Sequence, residues 1–181
     1  MKSKALLELL GDGQVHSGES LATHLGVSRT AIWKQIRRAM ADGVEIATIR
    51  GRGYQLVSRV DLLDRDSVLQ CLDPWRREAL SLNLLDEVDS TNAEVIRQAG
   101  MGSGKIPVVI ADCQTAGRGR RGRVWQSPRG ENLYLSMGLT FHGGFRVLDG
   151  LSLVLGVAVA NALEQLGVPE VGLKWPNDIF L

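Results

Sequence analysis

Residues 107–141 read PVVIADCQTAGRGRRGRVWQSPRGENLYLSMGLTF, and the fold of the larger part of the chain turns on them. Residues 107–111 form a β-rich apolar run. Residues 132–141 alternate, placing Leu133, Leu135, Met137, Leu139 and Phe141 on one side. A period of two marks a half-buried strand, so these five side chains are expected to face inward. Between the strands, residues 114–130 hold five arginines, four glycines and no acid. Glycine offers little side-chain packing, so this segment is expected to stay mobile until an anion neutralises it. Its spacing is neither a phosphate loop nor a dinucleotide fingerprint. A basic tail for RNA or a minor groove and a solvated linker are the alternatives. A position between two strands, rather than at a terminus, favours a loop that closes over a ligand.

Upstream, residues 80–85 read as a strand that runs into Asp86-Glu87-Val88-Asp89-Ser90-Thr91-Asn92. Thr91 and Glu94 have capping-box spacing, predicting a helix that continues to Ala99 and is ended by Gly100. Ser90, Thr91 and Asn92 thereby gather hydroxyls, an amide and free N–H groups at a helix N-terminus, either as a recognition site or as an ordinary cap. Downstream, residues 148–166 are apolar around most of the circumference, which predicts a helix buried against a sheet, with Gly156 allowing close packing. Residues 171–175 then lead into Pro176-Asn177-Asp178 and an incipient strand at 179–181. Lys174, Asn177 and Asp178 bracket a strand end, as part of a site or as a surface turn with an ion pair.

The first 58 residues have another character. Residues 4–10 predict a short helix. Ser17 caps a second helix that Gly26 stops, and Ser28 caps a third in which Ile32, Ile36, Ala39 and Met40 form the buried stripe. Arg29, Thr30, Lys34, Arg37 and Arg38 remain on the polar faces. A β-ribbon follows, residues 46–49 and 54–57, whose tip Arg50-Gly51-Arg52-Gly53 holds two arginines outward. Helix, turn, basic helix and basic ribbon resemble the winged helix-turn-helix of bacterial regulators, with Arg29, Thr30, Lys34, Arg37, Arg38, Arg50 and Arg52 as DNA-contacting candidates. A small packing unit with a solvated cationic face is the alternative. Phosphate contacts carry no base information, so the operator sequence is not readable here.

The chain has 181 residues, 44% hydrophobic and 23% charged, which excludes a disordered chain. Residues 1–60 carry nine Lys/Arg against five Asp/Glu, whereas residues 61–181 carry twelve against fifteen, so the net charge of +1 conceals a cationic module and an acidic one. Two domains are expected, 1–60 and 61–181. Residues 1–10 lack a secretion signal's apolar core. The longest apolar region is interrupted by Asp149, Ser152, Asn161 and Glu164, so no membrane span is expected. Cys71 and Cys113 form neither a disulfide framework nor a metal site, and a cytoplasmic protein is expected.

Taken in order, Asp89-Ser90-Thr91-Asn92, Gln114 to Trp125, Asn132-Leu133-Tyr134-Leu135-Ser136 and Lys174-Trp175-Pro176-Asn177-Asp178 resemble biotin protein ligases. With the winged helix ahead, they resemble the bifunctional form that is also the biotin operon repressor. The resemblance implies an α/β catalytic domain of the class II synthetase type, and formation of biotinyl-5′-adenylate from biotin and ATP with Mg²⁺. It also implies transfer of biotin to a lysine of the biotin carboxyl carrier domain of acetyl-CoA carboxylase, and a homodimer on a duplex DNA operator when ligand is bound. By the same resemblance, Ser90, Thr91, Asn92 and Gln114 lie near the ureido end of biotin. Arg118, Gly119 and Arg120 fold over its carboxylate and the adenylate, and Trp125 walls the cavity. Asp178, with Lys174 as a weaker candidate, stands near the acyl-phosphate chemistry. Family members continue into a lysine-bearing strand and a C-terminal barrel, so a sequence stopping at Leu181 is expected to hold an incomplete catalytic domain. A non-enzymatic ligand sensor and a lipoate ligase are the competing readings; the basic loop and the winged helix argue against the latter.

Overall fold

Leu6, Leu7, Leu10, Leu21, Ile32 and Ile36 are each 2% exposed or less and form the centre of the N-terminal core. They lie on three helices, α1 (Lys2–Leu10), α2 (Gly18–Leu25) and α3 (Arg29–Ala41), closed by the antiparallel hairpin of β1 (Ile46–Ile49) and β2 (Gly53–Leu56). This is a computed structural model, which describes residues 2–58, 60–100, 102, 104–119, 122–175 and 177–181. Ser17 and Ser28 cap α2 and α3, accepting from Ser20 N at 3.0 Å and Ala31 N at 3.2 Å, and Gly26 adopts the left-handed conformation that stops α2. Met40 departs from the expected stripe and is exposed. It lies about 100° round the helix from Ala39, at the margin of the face that Ile32, Ile36 and Ala39 fill.

Contacts divide the chain into two compact units, Met1–Gly138 and Leu139–Leu181. In the first, α4 (Arg65–Gln70) and α5 (Pro74–Ala79) lead from the hairpin to a three-stranded sheet of β3 (Leu80–Leu85), β4 (Ile106–Ala111) and β5 (Tyr134–Met137). β3 and β4 are parallel, in register from Leu80↔Ile106 to Leu85↔Ala111, and joined through α6 (Thr91–Ala99); β5 is antiparallel to β4. The central strand β4 is the most buried of the three.

Two expectations are corrected here. Ser90, not Thr91, caps α6, with its Oγ accepting from Ala93 N at 3.4 Å. Thr91 is the first helical residue and is buried. β5 is shorter than residues 132–141 and shows the opposite face: Tyr134 and Ser136 are buried, whereas Leu133, Leu135, Met137, Leu139 and Phe141 are all more than 40% exposed. The cause is α6, whose polar first turn meets the sheet on the Ser136 side, where Ser136 bonds to Thr91 and Asn92.

The second unit holds a 3₁₀ turn (Phe145–Leu148), α7 (Leu151–Gln165) and the antiparallel hairpin β6 (Gly172–Lys174) and β7 (Asp178–Phe180). Gly156 is the buried residue of α7: a Cβ there would stand 3.0 Å from the Leu173 side chain and 3.2 Å from Asn177 Cα. The rest of α7 does not meet the expectation of burial, since Leu153, Val154, Leu155, Val157 and Val159 are exposed. Phe145–Gln165 is also long and apolar enough to cross a membrane by length and composition, despite the polar residues that interrupt it. A core helix of a soluble domain has the same composition.

Candidate functional site

The start of α6, the segment that follows β4 and the strand β5 converge on a cleft of about 450 Å³. Thr91 N and Thr91 Oγ1 both donate to Gln114 Oε1, at 2.9 and 3.1 Å. Ser136 Oγ lies 2.8 Å from Thr91 Oγ1 and 2.5 Å from Asn92 Oδ1. The two hydroxyls carry two protons for three oxygen–oxygen contacts, and the Asn92 amide, turned end for end, supplies the third from Nδ2. The floor thus offers hydroxyl and amide groups side by side to a polar ligand. Gln114 Nε2 donates onward to Ser127 Oγ at 3.3 Å, fixing the amide's orientation. Asp89 also lines the cleft. Two bonds from Arg97 and one from Ser90 N lower its carboxyl to about 2, so it is an anion at any physiological pH.

The far wall comes from the arginine-glycine segment. Arg118 and Val124 form an isolated antiparallel bridge, and Gly119 N donates to Arg123 O at 3.1 Å. Close approach requires the glycines: a Cβ on Gly117 would stand 2.5 Å from Trp125 Cδ1, and one on Gly119 2.8 Å from Arg123 O. Ser90, Thr91, Asn92, Gln114, Arg118 and Trp125 all line the cleft, the last with its ring half-exposed. Gly119 sits in the adjoining turn. Arg120 lies outside the described residues. Among the described residues, those lining the cleft belong to the first unit. Lys174 and Asp178 belong to the second, where they face each other across the β6–β7 hairpin. Among the described residues no group of three His, Cys, Asp or Glu side chains gathers as a metal site.

A second concavity, of about 780 Å³, lies in the winged helix between the starts of α2 and α3 and the β1–β2 tip. Arg29, Thr30, Arg50 and Arg52 line it. The hairpin is held there by His16, which exchanges two backbone bonds with Tyr54 at 2.8 and 2.9 Å. Sequence reading missed Trp33, which lines this groove, is 52% exposed and carries the Arg37 guanidinium 5.7 Å from its ring centroid. An aromatic residue off the apolar stripe of a basic helix was the available signal. Arg38 points elsewhere: its Nη2 donates to both carboxylate oxygens of Glu87, at 2.6 and 2.7 Å. Arg129, also missed, is 3% exposed and lies beside the same carboxylate.

Comparison with known proteins agrees with both regions. Residues 2–55 match an HTH domain, and residues 84–181 match the biotin/lipoate A/B protein ligase family. Over 97% of its length the chain is 44% identical to the bifunctional ligase/repressor BirA of Salmonella typhimurium, covering 53% of that protein. It is 32% identical to the BirA of Bacillus subtilis over 98% of its length, covering 55% of that protein. The chain spans about half the length of these relatives. The solved biotin protein ligase from Aquifex aeolicus, in complex with biotin and ATP, is 39% identical over 56% of this chain and 41% of its own, with a TM-score of 0.45. With a helix-turn-helix ahead of it and the family match running from the end of β3 through β7, the chain belongs to the biotin/lipoate A/B protein ligase family.

Proposed function

We propose that the protein containing this chain is a biotin protein ligase that also binds operator DNA. The observation that carries the choice of ligand is a cleft with the polar cluster of Thr91, Gln114, Ser136 and Asn92 at one end and apolar walls beside it. A ureido ring supplies two N–H donors, and the apolar part of biotin suits Trp125 and Ile96 on the walls. Each completed bond is worth about 0.5–1.5 kcal/mol net.

In the first half-reaction a biotin carboxylate oxygen attacks the α-phosphorus of ATP, and the bond to the departing pyrophosphate breaks. Negative charge accumulates on the phosphoryl oxygens, where Arg118, and Arg120 in the same loop, stabilise it. In the second, a lysine amine of a biotin carboxyl carrier domain attacks the acyl carbon and AMP leaves. Asp178 would offer one carboxylate to a Mg²⁺ ion, which would supply charge neutralisation at the phosphates. Lys174, a homodimer on ligand binding and a cytoplasmic location belong to the same reading.

The test is biotin-dependent exchange of labelled pyrophosphate into ATP. Exchange that requires biotin supports the ligase. Biotin binding without exchange rejects it in favour of a ligand-sensing regulator.

A further inference from the structure

α3 is gripped from the side of the ligand cleft. Arg38 and the C-cap residue Asp42 lie one turn apart on it, and both meet residues of the first unit outside the winged helix. Arg38 Nη2 bonds both oxygens of Glu87, which follows β3 three residues before Ser90. Arg129 stands behind Glu87. Its Nη2 donates to Glu87 Oε2 at 3.4 Å and to Cys113 Sγ at 3.0 Å, its Nη1 to Asp86 O at 2.7 Å, and its backbone N to Asp42 O at 3.3 Å. Arg129 Nε and Asp42 Oδ2 are both buried without a hydrogen bond and stand 3.6 Å apart, an ion pair not drawn to bonding distance.

Arg38 shares a helical row with Thr30 and Lys34, at four-residue spacing, so it extends the cationic face of α3. Both two-pronged faces of a guanidinium, Nε with Nη2 and Nη1 with Nη2, use Nη2, so an Arg38 whose Nη2 is held by a carboxylate has lost its bidentate geometry for a phosphate. We propose that Glu87, held in place by Arg129, is an internal competitor for DNA at Arg38: an autoinhibitory contact that removes one phosphate-binding cation from the winged helix. The inference rests on the DNA-binding reading. It makes the segment from Ser127 to Arg129 common to both regions, because Ser127 accepts from Gln114 in the cleft and Arg129 backs the lock on α3.

The measurement is affinity for a mixed-sequence duplex as a function of salt, for the native protein, Glu87→Gln, Arg38→Ala and the double variant. Freeing Arg38 should steepen the slope of log affinity against log salt by about 0.9, so that Glu87→Gln loses ~3.5-fold more affinity than the native protein between 50 and 200 mM salt. The double variant should return to the native slope, and Arg38→Ala alone should leave that slope unchanged. Steepening that persists without Arg38 would reduce Glu87 to a general repulsive charge and overturn the lock. So would an unaltered slope in Glu87→Gln. The Arg38→Ala arm tests the lock in a protein whose Glu87 is intact: a slope shallower by about 0.9 would mean that Arg38 already contacts phosphate, and the inference fails. No binding by the native protein at low salt rejects the DNA reading and this inference together, whereas the preceding outcomes reject the inference alone.

Discussion

Thr91 reads as a helix cap in the sequence and stands in the structure as part of a cleft floor. The difference is one residue of register, within the usual uncertainty of a helix boundary, yet it turns a solvent-facing hydroxyl into a buried one. The chemistry that makes Ser and Thr good caps makes them good ligand contacts, so their types alone could not assign the two roles. Burial can. Ser136 Oγ bonds an exposed amide, that of Asn92, whereas Gln114 Oε1 keeps Thr91 N even when the Thr91 hydroxyl is gone. Ser136→Ala and Thr91→Val should therefore each cost about 0.5–1.5 kcal/mol of stability, since water replaces the bond that the exposed Asn92 loses. Both should weaken biotin. Urea unfolding of the two variants measures both losses, and a loss above about 3 kcal/mol in either would mean that the cluster is sealed from water. Arg129 was not legible for a different cause: a fifth arginine in a basic segment reads as one more solvated cation, and only the tertiary fold surrounds it with Asp42, Glu87 and Cys113.

At the scale of elements, the helices of the winged module were legible because each carries its own punctuation, Ser17 and Gly26 around α2 and Ser28 before α3. β5 was legible as a strand but not in its facing. Alternating leucines imply an apolar inside, and the polar partner that reverses this is the first turn of α6, more than 40 residues earlier in the chain. α7 was legible as a helix because its composition is local, whereas its burial depends on what packs against it. Glycine spacing at the β1–β2 tip gave the turn without separating the two glycines' duties. Gly51 has a φ of +73° with nothing within 4 Å of a Cβ position, whereas Gly53 has a φ of +136° and a Cβ there would stand 1.9 Å from His16 O. Gly51→Ala should cost about 1 kcal/mol for its backbone conformation alone, and Gly53→Ala distinctly more, because it also breaks the His16–Tyr54 pairing that holds the hairpin to the module. Thermal unfolding of both variants decides this. Equal losses would show that the His16–Tyr54 pairing contributes nothing to stability.

For the whole molecule, the split in charge between residues 1–60 and 61–181 predicts that its two regions answer differently to salt. With Arg38 tied to Glu87, the winged helix offers Arg29, Lys34, Arg37, Arg50 and Arg52 to phosphates. Five contacts imply a slope of about −4.5 in log affinity against log salt, a loss on the order of 500-fold between 50 and 200 mM. The cleft meets its ligand through a floor of short hydrogen bonds and one cationic loop. These contacts release few counterions and lie partly out of the solvent, where screening is weak. Biotin binding should therefore change by no more than about 3-fold over the same range. Parallel titrations of one preparation with duplex and with biotin measure both slopes. A steep dependence for biotin would mean that long-range charge, rather than the Thr91–Gln114–Ser136 cluster, holds the ligand. A shallow one for DNA would mean that the arginines of α3 and the hairpin tip are a solvated surface. Since each outcome bears on one region, a protein that reads DNA without binding biotin, or the converse, is identified as such rather than averaged into a single affinity.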